Sequence, residues 1–436
     1  MRLRLTLLLY NLLIPLFLPV LLCAMLMERK RREGSWASFA ERFGRCRPEV
    51  RVRLKAGRGR HVWINAGSVG EVNVAQKLIA ELVRREPGRP LILSVTTSSG
   101  RVLAEEHAPP ELTVITAPLD LPIFIRRLVR RIKPAAYVPV ESELWPNLLR
   151  AMQKERVPVL LANARLSPRS EGRYRKVRAL IAPVFAMLDR VLVQETPDAS
   201  RWQKLGVPAD RIHVTGSIKY DFAGGGVNEA RAAEFRSILE GLWGHPLPPV
   251  LMAASTHDGE EKAIAAIYLE LRPEYPELRM VVVPRHVERR ETLRAELESL
   301  GLTTAFRSTL HAHVSAPEIL IVDSTGELGD WQSLATVVII GRSFLATGGQ
   351  NPAEATGAGV PVITGPHMEN FLPLMELLGK AGGILTVPSL TDLPAALRRL
   401  LSAPEEARAT AARGRAALEQ HRGATYRTAG EIDTAQ

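Results

Sequence analysis

Short aliphatic and β-branched runs alternate along this chain with longer stretches whose apolar positions recur every three to four residues. The runs fall at residues 62–65, 91–96, 112–118, 135–140, 157–164 and 191–194. A glycine- and proline-rich interval at 224–249 interrupts the rhythm, which resumes at 250–255, 280–286, 319–328, 336–340 and 360–364. Continuous apolar runs bounded by turn residues read as strands buried on both faces. Amphipathic periodicity predicts helices at 72–85 and 121–132, and an alanine-rich, charged helix at 403–428. Strands alternating with helices at this spacing predict α/β halves, each a parallel sheet covered by helices. Such sheets bind ligands beyond the carboxyl ends of their strands. In the first half Glu71, Glu143, Asn163, Arg165 and Lys219 fall at those ends.

The second half is organised around GGQNPAEATGAGVPVITGPH, from Gly348 to His367. Gly348 and Gly349 follow a strand and lack a Cβ, so their amides are expected to approach a phosphate closely. Asn351 is expected to cap the next helix, with Pro352 in its first turn and Glu354 pointing back to the loop. Strand, glycine turn, helix N-terminus and carboxylate together describe a cradle for a nucleotide phosphate and its ribose. An ordinary βαβ turn has the same grammar.

The N-terminus follows a different pattern. Residues 5–27 are almost wholly apolar, with Arg2 and Arg4 before them and Glu28-Arg29-Lys30-Arg31-Arg32 after them. About 20 such residues suffice to span a bilayer core. The stronger downstream cluster predicts that the bulk of the protein faces the cytoplasm. A cleaved signal peptide fits poorly, because no A-x-A site follows the run. Leu22 before Cys23 likewise disfavours a lipoprotein start. An interfacial helix, tolerant of Pro15 and Pro19, is the other form of anchor. The basic stretch at 36–60 is either a solvated helix or a surface lying against anionic headgroups.

Net charge sharpens this. The 436 residues carry a formal charge of +11, which predicts an acidic partner. Nucleic acid is disfavoured: there is no zinc-finger spacing, no aromatic RNA-binding signature and no basic heptad helix. Two cysteines exclude a disulfide framework. No His, Asp or Glu cluster has convincing metal-ligand spacing, so no cofactor and no metal are expected. There is also no G-x-G-x-x-G after a strand, only Gly67-x-x-Gly70, which argues against a nicotinamide dehydrogenase.

Laid out in order, eight short motifs give the chain a resemblance. They are Ser68-Val69-Gly70-Glu71, Glu141-Ser142-Glu143-Leu144-Trp145-Pro146-Asn147, Asn163-Ala164-Arg165-Leu166-Ser167 and Thr215-Gly216-Ser217-Ile218-Lys219-Tyr220-Asp221. The others are Ala254-Ser255-Thr256-His257-Asp258-Gly259-Glu260, Pro284-Arg285-His286-Val287-Glu288-Arg289, Gly326-Glu327-Leu328 and Asn351-Pro352-Ala353-Glu354. In this order they resemble the lipid A-specific transferases of 3-deoxy-D-manno-octulosonic acid (Kdo), which use CMP-Kdo as donor. The resemblance covers nearly the whole chain.

It implies a GT-B fold, α/β, with two Rossmann-like domains facing a cleft. Residues 1–30 would be the anchor and 35–225 the acceptor domain. The CMP-sugar domain would be 245–415, and 416–436 a C-terminal helix and tail. The implied activity is inverting transfer of Kdo from CMP-Kdo to a lipid A precursor, lipid IVA, on the cytoplasmic face of a bacterial inner membrane. The implied partners are therefore CMP-Kdo, the lipid A precursor and an anionic membrane surface. Glu71 would be the catalytic base. Arg285 and His286 would lie near the CMP phosphate, Gly326 and Glu327 on the nucleotide loop, and Asn351 and Glu354 on the donor. Ser68, Gly70, Glu143, Arg165, Lys219, Ser255 and His257 would line the cleft, with Arg165 or Lys219 on the Kdo carboxylate.

Each role has a plainer counterpart. Glu71 could merely complement a helix dipole. Lys219 could form a surface ion pair, and His257 and His286 could be structural. Glu141 and Glu143 could be two acids of a site, or one could cap a helix. The sequence departs from the family in Gln350 for a usual His, Thr325 for Met, Gly341-Arg342-Ser343 for Gly-Gly-Ser, and Asn65-Ala66-Gly67 for His-Ala-Val. A membrane-associated transferase of a UDP-sugar and a silent nucleotide-binding scaffold remain as other classes.

Overall fold

The computed structural model describes residues 2–31, 36–221, 227–310 and 316–435, with side chains of 17–38 and Pro168 outside the description. The chain divides into two compact units, Met1–Lys219 with Gly423–Gln436, and Tyr220–Arg422.

The first unit contains β1 (Val62–Ala66), β2 (Leu91–Val95), β3 (Leu112–Thr116), β4 (Ala136–Pro139), β5 (Leu160–Ala164), β6 (Arg190–Val193) and β7 (Ile212–Val214). They pair in parallel in the orders β3-β2-β1-β4 and β5-β6-β7. Bridges Tyr137↔Val159 and Val140↔Ala162 join β4 to β5. Alternate residues feed opposite faces. Val62, Ile64 and Ala66 enter one core, while Trp63 enters the other with Tyr137. The order reverses at β1, so the crevice between the carboxyl ends of β1 and β4 is the topological switch point.

The second unit contains β8 (Val250–Thr256), β9 (Arg279–Pro284), β10 (Thr304–Phe306), β11 (Ile319–Ile321), β12 (Val337–Ile340), β13 (Val362–Thr364) and β14 (Leu385–Thr386). They form a parallel sheet in the order β10-β11-β9-β8-β12-β13-β14, again with a core on each face. Its switch point lies between β8 and β12. The strands β10 and β14 are too short to leave a sequence signal, and neither is expected from the apolar pattern.

Two connections were not legible beforehand. Helix Ala424–Asp433 returns to the first unit. Asp433 pairs with Arg85 and Arg89, Glu431 pairs with Arg190 and His213, and Arg85 stacks over Tyr426. The N-terminal helix Arg2–Arg31 is also held there through its first half. Tyr10 hydrogen-bonds Asp120, Asn11 and Asn147 bond each other through their amides, and Thr6 Oγ1 donates to Leu180 O at 2.9 Å. Buried Asp120 caps helix Pro146–Lys154 through the amides of Asn147 and Leu148, both at 2.9 Å. Among the described residues no helix is long and apolar enough to cross a membrane. Side chains 17–27 of the apolar segment, the 28–32 cluster and Gly224–Gly226 of the linker lie outside the described residues.

Candidate functional site

Both switch points hold backbone that ordinary residues avoid. Among the described residues six non-glycines have positive φ. Four of them lie at carboxyl ends of strands: Glu141 after β4, Asn163 in β5, Ser255 in β8 and Arg342 after β12. Left-handed conformations at non-glycine residues cluster at functional sites because the surroundings must hold them.

In the first unit the turn after β1 makes a reciprocal cap. Ser68 starts helix Val69–Arg85 in extended conformation and its Oγ accepts from Glu71 N at 3.4 Å. The Glu71 carboxylate turns back, and its Oε2 accepts from Gly67 N at 2.6 Å. This is the S-x-x-E capping logic, shifted by one amide. The plainer role of Glu71 is therefore real, and it fixes where the carboxylate points. Burial pushes the Glu71 pKa up to about 7; the Gly67 amide opposes the rise, and nearby Glu143 and Glu141 add to it. A carboxylate in this range can accept a proton near neutrality.

Glu143 stands beside it. Its Oε2 accepts from Trp145 Nε1 at 3.0 Å and from Asn65 Nδ2 at 3.5 Å. A methyl group on Gly67 would fall 2.2 Å from Glu143 Oε1. The glycine thus admits the second carboxylate to the turn, which accounts for Gly67 in the Asn65-Ala66-Gly67 loop. Glu141 is neutralised: Lys219 Nζ lies 2.6 Å from its Oε1 and Asn163 Nδ2 donates to it at 3.3 Å. Lys219 is thereby placed in an ion pair. Gly70 faces open space, an added methyl meeting nothing nearer than Ser68 Oγ at 3.9 Å.

Glu141 also lines a cavity of about 790 Å³, with Leu9 and Leu13 of the N-terminal helix, Trp145, Arg165 and Arg173. Apolar walls with a few convergent charges suit an amphiphilic ligand. Arg165 is exposed and has no ion pair among the described residues.

In the second unit buried Glu260 is the organising group. At the start of helix Glu260–Leu271, its carboxylate accepts from the amides of His257, Arg342, Ser343 and Phe344. It ties the end of β8 to the loop after β12. His257 is half-buried, packs edge-on against His286 at 5.4 Å, and its Nε2 lies 2.9 Å from Gln350 Nε2. Burial holds the His257 pKa down, and the charges of Arg342, His286 and Arg285 act in the same direction. A ring nitrogen that accepts from the Gln350 amide is unprotonated, in keeping with a His257 pKa held down by burial. Arg285 follows β9, exposed, and its guanidinium has no ion pair among the described residues. His286 Nδ1 sits 3.2 Å from Glu288.

The glycine loop differs from expectation. Gly348 and Gly349 do have positive φ, but their amides are committed, Gly348 N to Glu369 Oε2 at 2.6 Å and Gly349 N to Arg342 O at 3.0 Å. A carboxylate distant in sequence takes the place expected for phosphate. Asn351 Oδ1 accepts from Ala353 N, while Pro352 occupies the cap position of helix Ala353–Ala358. Glu354 is exposed on the first turn of that helix. Gly326 and Glu327 lie on the turn after β11, where Glu327 accepts from Ser324 Oγ and Trp331 Nε1. Among the described residues no group of three or more His, Cys, Asp or Glu is arranged to hold a metal ion. The roles of Glu260, Trp145 and Glu369 escaped the sequence reading, since each depends on amides or side chains brought from other loops.

Comparison with known proteins identifies the family. The family model for 3-Deoxy-D-manno-octulosonic-acid transferase (kdotransferase) matches residues 37–222. The 3-deoxy-D-manno-octulosonic acid transferase of Bordetella pertussis is 34% identical over 94% of this chain and 95% of its own length. That of Haemophilus influenzae is 32% identical over 84% of this chain and 85% of its own. Among solved structures, UDP-GlcNAc 2-epimerase from Neisseria meningitidis superposes with a TM-score of 0.51 at 14% identity, over 86% of this chain and 99% of that one. That likeness shows the GT-B-like α/β fold alone. With its carboxylate-bearing turn after β1 and its relatives matched along most of their length, the chain belongs to the 3-deoxy-D-manno-octulosonic acid transferase family of glycosyltransferases.

Proposed function

We propose that this enzyme moves Kdo from CMP-Kdo to a hydroxyl of a lipid A precursor such as lipid IVA, with Glu71 as general base. The observation that carries the reading is Glu71 itself, a carboxylate raised to about 7 at the β1–β4 switch point. Glu71 takes the acceptor hydroxyl proton as the oxygen attacks the anomeric carbon of Kdo. The bond from that carbon to the CMP phosphate oxygen breaks, and the electron pair leaves with CMP. Attack opposite the leaving group inverts the centre. Arg285, without an ion pair among the described residues, meets the charge growing on the departing phosphate. Arg165 rather than Lys219 suits the Kdo carboxylate, because Lys219 is already engaged by Glu141. No resident metal takes part in this scheme.

The acceptor's acyl chains suit the cavity lined by Leu9, Leu13 and Trp145, and Arg173 suits a phosphate of its headgroup. Leu5, Leu8, Leu12 and Leu16 recur every three to four residues on the N-terminal helix, and each is more than half exposed. This stripe supports docking in a membrane interface rather than free solution, and we place that interface on the cytoplasmic side.

Two measurements test the reading. Wild-type protein with CMP-Kdo and tetraacylated lipid A precursor is expected to yield Kdo-bearing lipid. CMP at about 100 times its Kd is expected to stabilise the protein by roughly 2.7 kcal/mol in thermal unfolding. Stabilisation by UDP but not CMP, with no Kdo transfer, would overturn the donor assignment.

Gly67→Ala tests the carboxylate pair. The new methyl meets the mobile end of Glu143, and Gly67 has no positive φ, so the fold is expected to lose less than about 1 kcal/mol. Glu143 is expected to swing away from Glu71, and the acid limb of the pH–rate profile to move to lower pH. An unmoved limb would show that Glu143 does not tune the base.

A further inference from the structure

The N-terminal helix borders a second cavity, of about 370 Å³, that the transfer reaction does not use. Arg4, Leu7, Leu8 and Asn11 line it from that helix, Arg126 from helix Pro122–Ile132, and Arg150 and Lys154 from helix Pro146–Lys154. Arg4, Leu7, Leu8 and Asn11 repeat at i, i+3, i+4 and i+7, one face of a helix. Thr6, Leu9, Tyr10 and Leu13, which line the larger cavity, repeat the same pattern two residues later. Two residues turn a helix by about 200°, so the two cavities flank opposite sides of it. The exposed leucine stripe lies between them, and both cavities open beside it.

The charge in the smaller cavity is one-sided. Among the described residues none of Arg4, Arg126, Arg150 and Lys154 has a carboxylate partner; Arg150 reaches only the neutral Gln153. Nearby Glu155 is engaged by Arg130, outside the cavity. At the floor the Asn11 and Asn147 amides satisfy each other, and the Asp120 carboxylate behind them is taken up by Tyr10 and the amides of Asn147 and Leu148. Four cations around one small volume repel one another unless an anion joins them. Leu8 in the lining is 58% exposed, and Ile123, next in sequence to the lining residue Pro122, is 72% exposed. An anion with an apolar body attached fits this arrangement better than a free one.

We propose that this cavity binds the phosphate of an anionic bilayer phospholipid, its acyl chains lying along Leu8 and Ile123. The site rests on the reading that the leucine stripe meets a membrane. It would seat the enzyme at a fixed depth and rotation, leaving the larger cavity on the other side of the helix for the acceptor.

The test is sedimentation of the full-length protein with phosphatidylcholine vesicles, with and without phosphatidylglycerol. Wild type is expected to bind the neutral vesicles weakly and the anionic ones strongly. R126Q/R150Q/K154Q is expected to lose about 100-fold on the anionic vesicles, at roughly fivefold per cation, and nothing on the neutral ones. R126K/R150K, which keeps the charge, is expected to retain binding. A control of equal charge loss elsewhere, R236Q/K380Q/R408Q, is expected to lose less than a tenth as much. Equal losses in the two triple variants would mean diffuse attraction and overturn the site. So would an unchanged R126Q/R150Q/K154Q. Competition by inorganic phosphate beyond that of chloride at equal ionic strength would make it a free-phosphate site and overturn the lipid assignment. Wild type that binds neither vesicle would instead overturn the interfacial reading of the leucine stripe.

Discussion

Glu71→Gln is expected to lower kcat by roughly 10²–10⁴-fold, the usual contribution of a positioned general base. The variant keeps the shape of the side chain and one carbonyl oxygen. That oxygen can still accept from the Gly67 amide, so the start of helix Val69–Arg85 stays capped. The two roles of Glu71 are thus separable, and a loss of rate without a loss of fold identifies the chemical one. Stability should move the other way. Glu71 is raised from an ordinary value near 4.5 to about 7 in the folded chain. Its folded form therefore holds the proton more tightly, and its favourable contribution is full below the unfolded value and lost as pH rises through about 7. Above that pH the ionised side chain is a burden that glutamine lacks, so the variant should melt no lower than wild type in mildly alkaline buffer.

The same shift sets the pH dependence of the wild type. Rate through kcat/KM should climb with pH to a limb near pH 7, where Glu71 loses its proton. Burial is the first cause of that position, with Glu143 and Glu141 adding to it. Glu143→Gln should therefore move the limb to lower pH while leaving a plateau. Full activity in Glu71→Gln, with CMP binding intact, would remove Glu71 from the chemistry and leave it a helix cap.

Strand positions were legible because parallel strands are buried on both faces and so write continuous apolar runs, as in Val62–Ala66 and Val337–Ile340. Their carboxyl ends then located Glu71, Glu143, Asn163, Arg165 and Lys219 without any tertiary information. What stayed hidden is pairing between loops. Nothing local says that Lys219 will neutralise Glu141, or that Glu369 will take the Gly348 amide expected to face a phosphate. Gly67 is informative only once Glu143 is known to stand where its Cβ would be. The return of Ala424–Asp433 to the first unit is a contact across more than 300 residues of sequence, made by ion pairs that resemble any surface helix.

Glu260→Ala should be the most damaging single substitution in the second unit. The carboxylate accepts from Arg342 N at 2.6 Å, His257 N at 3.1 Å, Ser343 N at 3.1 Å and Phe344 N at 3.4 Å. Truncation leaves four amides without their acceptor beside a buried void, at roughly 1–3 kcal/mol for each donor that water does not reach. Partial hydration brings the expected total to about 4 kcal/mol. For a unit of this size that lowers Tm by roughly 10 °C. Glu260→Gln keeps the volume but turns an NH₂ toward two of those donors, so it should recover less than half of the loss. Glu288→Ala, on an exposed side chain, should stay within about 0.5 kcal/mol of wild type. The effect should also reach the donor, because Glu260 ties the backbone amides of the Arg342–Phe344 loop to that of His257. Arg342 has a left-handed backbone and a methyl on Gly341 would meet Ser255 O, so the Glu260 contacts add to the β8–β12 pairing in holding a tight turn. Glu260→Ala should therefore weaken CMP binding even below its lowered Tm. Unchanged CMP affinity in folded Glu260→Ala would mean that the β8–β12 crevice is shaped by other contacts and that Glu260 serves stability alone.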